Sequence, residues 1–101
     1  MKAERQRLDK WLWFARFAKT RSLAGRLVTD GHVRVNGRRA EAAAKTVLVG
    51  DVLTVAAPHG TLLVRVVDLG ERRGPAPEAR RLYAEVGSPE SQEGGAGDRT
   101  P

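Results

Sequence analysis

The side chains that could act as catalysts are few and widely separated in this sequence. His32 and His59 fall in different turn regions, and no histidine pair or carboxylate-histidine pair has the spacing that catalysis or metal binding requires. No candidate base stands beside any serine, and the absence of cysteine removes thiolate nucleophiles, cysteine-bound zinc and disulfides. The glycine-rich run at 94–97 neither follows a strand nor opens a helix, so it is not a phosphate loop. We therefore expect no catalytic residue, no metal and no cofactor.

Basic side chains are far more numerous than candidate catalytic ones, and they are concentrated in the first half of the chain. Residues 1–45 hold twelve Lys or Arg against four acids, whereas the whole 101-residue chain has a formal charge of +6. Guanidinium and ammonium groups attract polyanions, which in the cytosol are mostly RNA and DNA. The alternative is a solvated face that only keeps the protein soluble.

The length and the hydropathy of the chain limit the class of protein to which it can belong. A chain of 101 residues with 41% hydrophobic residues suffices for one small domain and excludes a two-domain enzyme. The first ten residues are charged, and no stretch approaches the roughly 20 apolar residues of a membrane span. We expect a cytoplasmic protein with neither a signal peptide nor a membrane contact.

A first helix is predicted over residues 7–18, where neither glycine nor proline occurs. Its buried stripe has the spacing i, i+3, i+4 and i+7 and consists of Leu8, Trp11, Leu12 and Ala15. Asp9 is expected to make local contacts in the first turn. The far side interleaves basic and aromatic residues: Lys10, Trp13 and Phe17, with Arg7 and Phe14 flanking. These aromatics either stack on RNA bases or form a second apolar face under the segment around Leu82 and Tyr83; the packing needs of a small domain favour the second.

A second, shorter helix is predicted to begin after Thr20, its N-cap, and to end before Gly31, a left-handed C-terminal cap. Ala24, Leu27 and Val28 form its buried stripe. Three cations bracket its start, where free N–H groups and the helix dipole favour an anion: Arg16, Lys19 and Arg21. Arg26 projects from its outer face.

The period then changes from helical to alternating, which predicts strands. Val33 and Val35 point one way and Arg34 the other, and Asn36-Gly37 is a strong signal for a tight hairpin turn. Arg34, Arg38 and Arg39 flank this turn, so they are expected to extend the basic strip. Asn36 is either an RNA contact or purely a turn residue. Branched apolar runs predict two to four more strands, at 47–49, 52–55 and 62–67.

Helical spacing returns near the C-terminus, where Ala79, Leu82, Tyr83 and Val86 predict a short helix over 76–86. Residues 87–101 lack large apolar side chains, so we expect a disordered tail there. The predicted fold is α+β: residues 1–86 form one domain with two N-terminal helices on a short, mostly antiparallel sheet and a short C-terminal helical segment.

Four blocks in order resemble the RNA-binding domain first recognised in small-subunit ribosomal protein four: residues 7–12, 19–24, 31–37 and 49–53. This resemblance covers about residues 7–56 and implies an αL motif that grips structured RNA by its shape and phosphates. Related modules are appended to pseudouridine synthases, tRNA synthetases and ribosomal-RNA methyltransferases. In the present sequence we expect no catalytic domain beside this module.

A second stretch is similar to the bacterial ribosome-associated heat-shock protein fifteen family. The matching residues are Arg72-Arg73, Pro75-Ala76, Glu78-Ala79, Leu82 to Glu85 and the aromatic run Trp11 to Phe17. The resemblance implies a non-enzymatic protein that binds free large ribosomal subunits carrying a nascent chain on tRNA, and that helps to return them to use. The family often has a long basic C-terminal extension, whereas the tail here is short and weakly acidic, so the match rests on the core.

The resemblance also implies which residues contact RNA and which partners are expected. The partners are ribosomal RNA of the large subunit and, further, peptidyl-tRNA, bound by a monomer without a small-molecule substrate. The implied contacts lie on the first helix, the link, the second helix and the turn: Arg7, Lys10, Arg16, Lys19, Thr20, Arg21, Arg26, Arg34, Asn36 and Arg38.

Two other functions stay open at this point. The chain could be an accessory subunit that supplies RNA binding to a separate modifying enzyme, docked through whatever part of the first helix residues 76–86 leave uncovered. It could also bind DNA without sequence preference, in which case it would not favour structured RNA over duplex DNA at equal salt.

Overall fold

The computed structural model describes residues 4–57 and 60–87, which contain seven strands, three α-helices and one 3₁₀ helix. In chain order the elements are β1 (Gln6–Arg7), α1 (Leu8–Phe14), α2 (Arg21–Thr29), β2 (Val33–Val35), β3 (Arg38–Arg39), β4 (Thr46–Val47), β5 (Val52–Ala57), β6 (Gly60–Val66), α3 (Ala76–Ala79), a 3₁₀ helix (Arg80–Leu82) and β7 (Tyr83–Gly87). No helix within these residues is long and apolar enough to cross a membrane.

The strands form one main sheet and one small ribbon. The main sheet has the order β3-β2-β5-β6-β7, and the ribbon pairs β1 with β4; every pairing is antiparallel. Val35 is opposite Leu53, and Leu53 is opposite Val64, so all three buried side chains share one face. The two N-terminal helices pack on an antiparallel sheet, which confirms the predicted α+β fold.

The buried stripe of α1 and its continuation is the one that the spacing predicts. Leu8, Trp11 and Leu12 are completely buried, and Ala15 is 4% exposed. From α2, Ala24 and Val28 enter the same core, whereas Leu27 is only half-buried. One core therefore joins both helices to the main sheet.

The first helix is shorter than predicted, because it ends at Phe14 instead of reaching residue 18. Arg16 then adopts a positive φ of 66°, which turns the chain out of the helix. Phe17 folds back toward the helix: its backbone N–H donates to the Leu12 carbonyl at 2.9 Å. Its ring stacks against Trp11, with 6.1 Å between the ring centroids. Packing of this aromatic overrides the local preference for helix.

The C-terminal segment is helical only over α3 and the 3₁₀ helix, so the helix predicted over 76–86 is wrong beyond Leu82. Tyr83–Gly87 instead pairs with β6, with Val66 opposite Tyr83. The open edge of β6 offers backbone hydrogen bonds that outweigh a short helical pattern. Gly87 ends this strand and does not belong to the tail; residues 88–101 and the turn at His59 lie outside the described residues.

The local signals for caps and turns are confirmed. The Thr20 hydroxyl accepts a hydrogen bond from the Leu23 N–H at 3.1 Å, and Gly31 has a φ of 86° at the end of α2. Asn36 and Gly37 both have positive φ, 52° and 86°, as a two-residue type I′ hairpin requires. The hairpin that carries Arg34 and Arg38 is thereby fixed in register.

Candidate nucleic-acid interface

A buried carboxylate, Asp9, organises the first group of cations. Arg7 donates from Nε and Nη2 to the two Asp9 oxygens at 3.1 Å each, and Arg21 Nε lies 3.7 Å from Oδ2. The hydrogen bonds from Arg7 to Asp9 raise the pKa of Arg7 above its ordinary value. Both arginine side chains keep over two fifths of their surface exposed, at 49% and 43%. Asp9 thus fixes two guanidinium groups at the start of both helices, and its expected local role is confirmed.

The link between the helices positions the next candidates differently from one another. Arg16 is exposed, but its Nη1 donates to the Gly74 carbonyl at 2.9 Å, which ties it to the C-terminal segment. Lys19 is exposed and lies just before Thr20, whose hydroxyl caps α2. At the start of α2, Lys19 therefore has no ion-pair partner among the described residues, whereas Arg21 lies beside the Asp9 carboxylate. Arg16 belongs to a second surface, described below.

The hairpin turn is held by Asn36. Its Oδ1 accepts from the Val52 N–H at 2.9 Å, its Nδ2 donates to Asp51 Oδ1 at 3.2 Å, and its backbone N–H donates to the Val52 carbonyl at 2.7 Å. Asn36 therefore has the turn role that the sequence left as an alternative; a contact with RNA stays a prediction. Arg34 Nη1 lies 3.4 Å from the Gly37 carbonyl, and its side chain is exposed.

Beside this turn lies a hollow of about 530 Å³, which we call the hairpin hollow. It holds three cations and a single acid, and its lining residues are Val35, Asn36, Arg38, Arg39, Glu41, Ala42 and Lys45. Arg38 and Arg39 are both exposed on β3. An open concave surface with excess positive charge suits phosphate groups, which arginine can bind through two parallel hydrogen bonds.

Backbone contacts bring the hairpin hollow close to the Asp9 group. The Leu8 N–H donates to the Lys45 carbonyl at 2.7 Å, and Arg7 is opposite Thr46 in the small ribbon. The guanidinium of Arg39 lies against Gly31, where a Cβ would come within 3.0 to 3.1 Å of it. The ribbon therefore links the two sets of cations, Arg7 and Arg21 on one side and Arg38, Arg39 and Lys45 on the other.

The remaining candidates stand apart from this group. Lys10 lies over the Phe14 ring, with Nζ 5.6 Å from the centroid. Arg26 lines a groove of about 440 Å³ together with Phe17, Ala18, Leu23, Leu27, Asp30 and His32. The sequence left Arg39 and Lys45 out of the contact set. Arg39 could have been found from the sequence, because it is near the Asn36-Gly37 turn. Lys45 could not, because only the folding of the 40–45 loop brings it to the hairpin hollow.

The aromatic side of the first helix is largely covered. The Phe17 and Tyr83 ring centroids are 5.0 Å apart, and Trp11 contacts Tyr83 edge-on at 6.4 Å. Trp13 is half-buried and stacks on Phe14 at 5.4 Å. The packing interpretation is thus confirmed for Phe17, and the patch on which the accessory-subunit alternative depended is reduced. Among residues 4–57 and 60–87, no three His, Asp or Glu side chains form a group that could hold a metal ion.

Comparison with known proteins assigns this arrangement to a class. The S4 domain family model matches residues 6–53, which include both helices and the hairpin, so the chain contains an S4 domain. The small ribosomal subunit protein uS4 of Xanthobacter autotrophicus is 40% identical over 72 residues, 69% of this chain and 35% of that protein.

A narrower family follows from relatives that also match the C-terminal segment. A heat shock protein 15 homolog of Haemophilus influenzae is 43% identical over 82 residues, 81% of this chain. The trimeric structure of Vibrio cholerae heat shock protein 15 is 44% identical, has a TM-score of 0.77, and is matched over 82% of this chain and 83% of that one. The chain belongs to the heat shock protein 15 family. It spans about 60% of the length of the curated heat shock protein 15 relatives that it matches.

Proposed function

We propose that this protein binds structured ribosomal RNA on free large ribosomal subunits and acts without catalysis, in the cytoplasm, in the rescue or recycling of stalled subunits that carry peptidyl-tRNA. Membership of the heat shock protein 15 family and the S4 domain at 6–53 support the class of partner. The large subunit and the peptidyl-tRNA come from the family resemblance. Residues 1–86 would act as one RNA-binding domain.

The observation that carries this proposal is the hairpin hollow with its excess of positive charge. Three cations face one carboxylate there, and the type I′ turn and Asn36 hold the strand that presents Arg38. A-form RNA is recognised mainly by its shape and by its phosphates, so a rigid basic concavity suits it better than a flexible tail would. Neutralising phosphates releases counterions and makes binding strongly dependent on salt.

The proposed contacts are the ten residues that the sequence indicates, with Arg39 and Lys45 added by the structure. Arg34, Arg38, Arg39 and Lys45 would bind phosphates at the hairpin, and Arg7, Lys19 and Arg21 would bind them at the helix starts. Thr20 and Asn36 would act mainly by holding these cations in place. Lys10, Arg16 and Arg26 complete the proposed set from the periphery.

The same comparison supports a proposal about the state of assembly. The Vibrio cholerae relative is described as trimeric, which favours self-association of this chain over the monomer expected from its sequence. Light scattering coupled to size-exclusion chromatography distinguishes a mass of 11.0 kDa from three times that value. A mass that stays at the monomer value over a wide concentration range would restore the original expectation.

Sedimentation of tagged protein in bacterial extract at moderate salt tests the proposed function. Wild-type protein is expected with free large subunits, and Arg38→Glu is expected to shift it to the top of the gradient. Arg65→Glu, an equal charge change at an exposed position on β6, is the matched control and should sediment as wild type does. Equal distribution of wild type over both subunits, or equal loss in both variants, would contradict the proposal.

A further inference from the structure

A second basic concavity lies at the border of the S4 domain, where the end of the first helix meets the C-terminal segment. This cleft has a volume of about 260 Å³ and contains two arginines and no carboxylate. We call it the Arg16–Arg80 cleft; its lining residues are Ala15, Arg16, Ala76, Ala79, Arg80 and Tyr83. No acidic side chain among the lining residues therefore offsets the positive charge of the two arginines.

The arginines of this junction are presented by defined structure. Arg16 follows α1 in a left-handed conformation and donates one N–H to the Gly74 carbonyl, which leaves its other donors available. The Tyr83 ring at the cleft wall is fixed by contacts with Phe17 and Trp11. Arg73, next to Gly74 in the chain, does not line the cleft; its buried Nε has no hydrogen-bond acceptor among the described residues.

Arg80 and Arg81 are consecutive exposed residues of the same 3₁₀ helix, yet their surroundings differ in charge. Arg81 lines a separate pocket together with Asp68, Glu71 and Glu78, where Arg72 is already paired with Glu78 at 2.9 Å. The Arg80 backbone N–H belongs to the end of α3, but the Arg80 side chain makes no hydrogen bond or ion pair with any residue that the structure describes. Negative charge thus compensates Arg81 locally, whereas Arg80 has only another arginine beside it.

We propose that the Arg16–Arg80 cleft binds a backbone phosphate of the RNA and so extends the interface beyond residues 6–53. The inference rests on the proposed RNA-binding function and adds to it a contact site in the C-terminal segment. Two guanidinium groups without a carboxylate match a phosphate, because each can donate paired hydrogen bonds to its oxygens.

The test compares two neighbouring charge reversals. Binding of deproteinised large-subunit ribosomal RNA is measured over a salt series for wild type, Arg80→Glu, Arg81→Glu and Arg38→Glu. We expect Arg80→Glu to weaken binding about tenfold and to lower the salt slope by about 0.7 to 0.9, the value of one phosphate contact. Arg81→Glu makes the same change in net charge and should stay within about twofold of wild type.

The outcomes separate this inference from the proposed function. If Arg80→Glu and Arg81→Glu bind equally while Arg38→Glu loses affinity, the cleft is not a contact and the function stands. If Arg80→Glu alone loses affinity, the cleft is supported and the hairpin hollow is refuted. Wild-type protein that binds no RNA refutes both.

Arg80 is the better probe because Arg16 also has a structural hydrogen bond to Gly74. All variants should keep the wild-type melting temperature, since the exchanged side chains are exposed. Arg80→Lys retains the charge and should keep the salt slope; loss of the slope in this variant would contradict a phosphate contact.

Discussion

The S4 domain, residues 6–53, and the region that follows it, residues 60–87, contribute to the same core but differ strongly in net charge. Residues 6–53 contain ten Lys or Arg and four acids, whereas residues 60–87 contain five and four. The buried side chains of both regions meet in one cluster, with Leu8 and Leu12 from the first region and Val64 and Val66 from the second. Stability is thus shared between the regions, while the capacity to bind a polyanion is concentrated in the first.

Residues 60–87 pack against the first helix and the strand before it instead of forming a separate unit. Trp11 Nε1 donates to the Asp68 carbonyl at 2.9 Å, and the Gln6 amide exchanges two hydrogen bonds with the Gly70 backbone at 2.8 and 3.1 Å. A Cβ at Gly70 would come within 2.5 to 3.0 Å of the Phe14 side chain, so only glycine permits this approach. The basic surface of the first region therefore depends on the second for its support.

The largest effect is expected from removing the residue that joins the two regions. Trp11→Ala deletes a fully buried ring that packs on Phe17 and Tyr83, and it should lower the free energy of unfolding by about 3 to 5 kcal/mol. Chemical denaturation measures this loss. Leu27→Ala, at a half-buried position, should cost clearly less. Equal losses in the two variants would show that Trp11 does not join the regions.

A smaller effect with two opposite signs is expected at Asp9. Asp9→Asn weakens the pairing with Arg7 and Arg21 and should cost about 1 to 2 kcal/mol of stability, because the carboxylate is buried but its partners are half-exposed. The released guanidinium groups should bind RNA more tightly. Glu85→Gln, at an exposed position on β7 with the same charge change, reports the effect of net charge alone. An Asp9→Asn protein whose RNA affinity rises no more than that of the control would contradict this role.

Thr20 tests whether a candidate contact acts through the helix or on RNA directly. Thr20→Ala removes the cap of α2 and should cost about 1 kcal/mol in thermal or chemical unfolding. Thr20→Ser keeps the hydroxyl and should restore stability, and Ser22→Ala provides a control inside the same helix. If Thr20→Ala binds RNA more weakly at a temperature where it is fully folded, the hydroxyl contacts RNA itself.

Local signals in the sequence predicted the parts of the site that depend on single residues. Thr20, Gly31 and Asn36-Gly37 act through their own backbone conformation, so their roles follow from residue type alone. The buried stripe of α1 was also predictable, because the side chains at i, i+3 and i+4 lie on one face of a helix wherever that helix ends. These features fix the helix start and the hairpin turn, which are the two main parts of the candidate interface.

The parts that depend on distant contacts were not predictable in the same way. No residue type marks the turn at Arg16, which follows from Phe17 packing on Tyr83. The spacing of Ala79, Leu82 and Tyr83 fits a helix, but pairing with β6 decides for a strand from Tyr83 onward. Lys45 enters the hairpin hollow only because its carbonyl accepts the Leu8 N–H. Tertiary hydrogen bonds and packing determine these positions.

The smallest effect on stability and the sharpest contrast between the regions are expected from two exposed arginines. Arg38→Ala on β3 and Arg65→Ala on β6 should each change the free energy of unfolding by less than about 0.5 kcal/mol, since neither side chain is buried. In RNA binding they should separate: Arg38→Ala weakens affinity and lowers the salt slope by about 0.7 to 0.9, whereas Arg65→Ala leaves both unchanged.

Titrating both proteins with structured RNA and with duplex DNA at equal salt completes this comparison. A domain that recognises A-form shape should prefer the RNA, and Arg38→Ala should weaken binding to RNA more than binding to DNA. Equal losses on both nucleic acids would reduce the hairpin hollow to a general attraction for polyanions. Equal losses in both variants would mean that the position of the charge is irrelevant, and the distinction between the two regions would then lie in their packing alone.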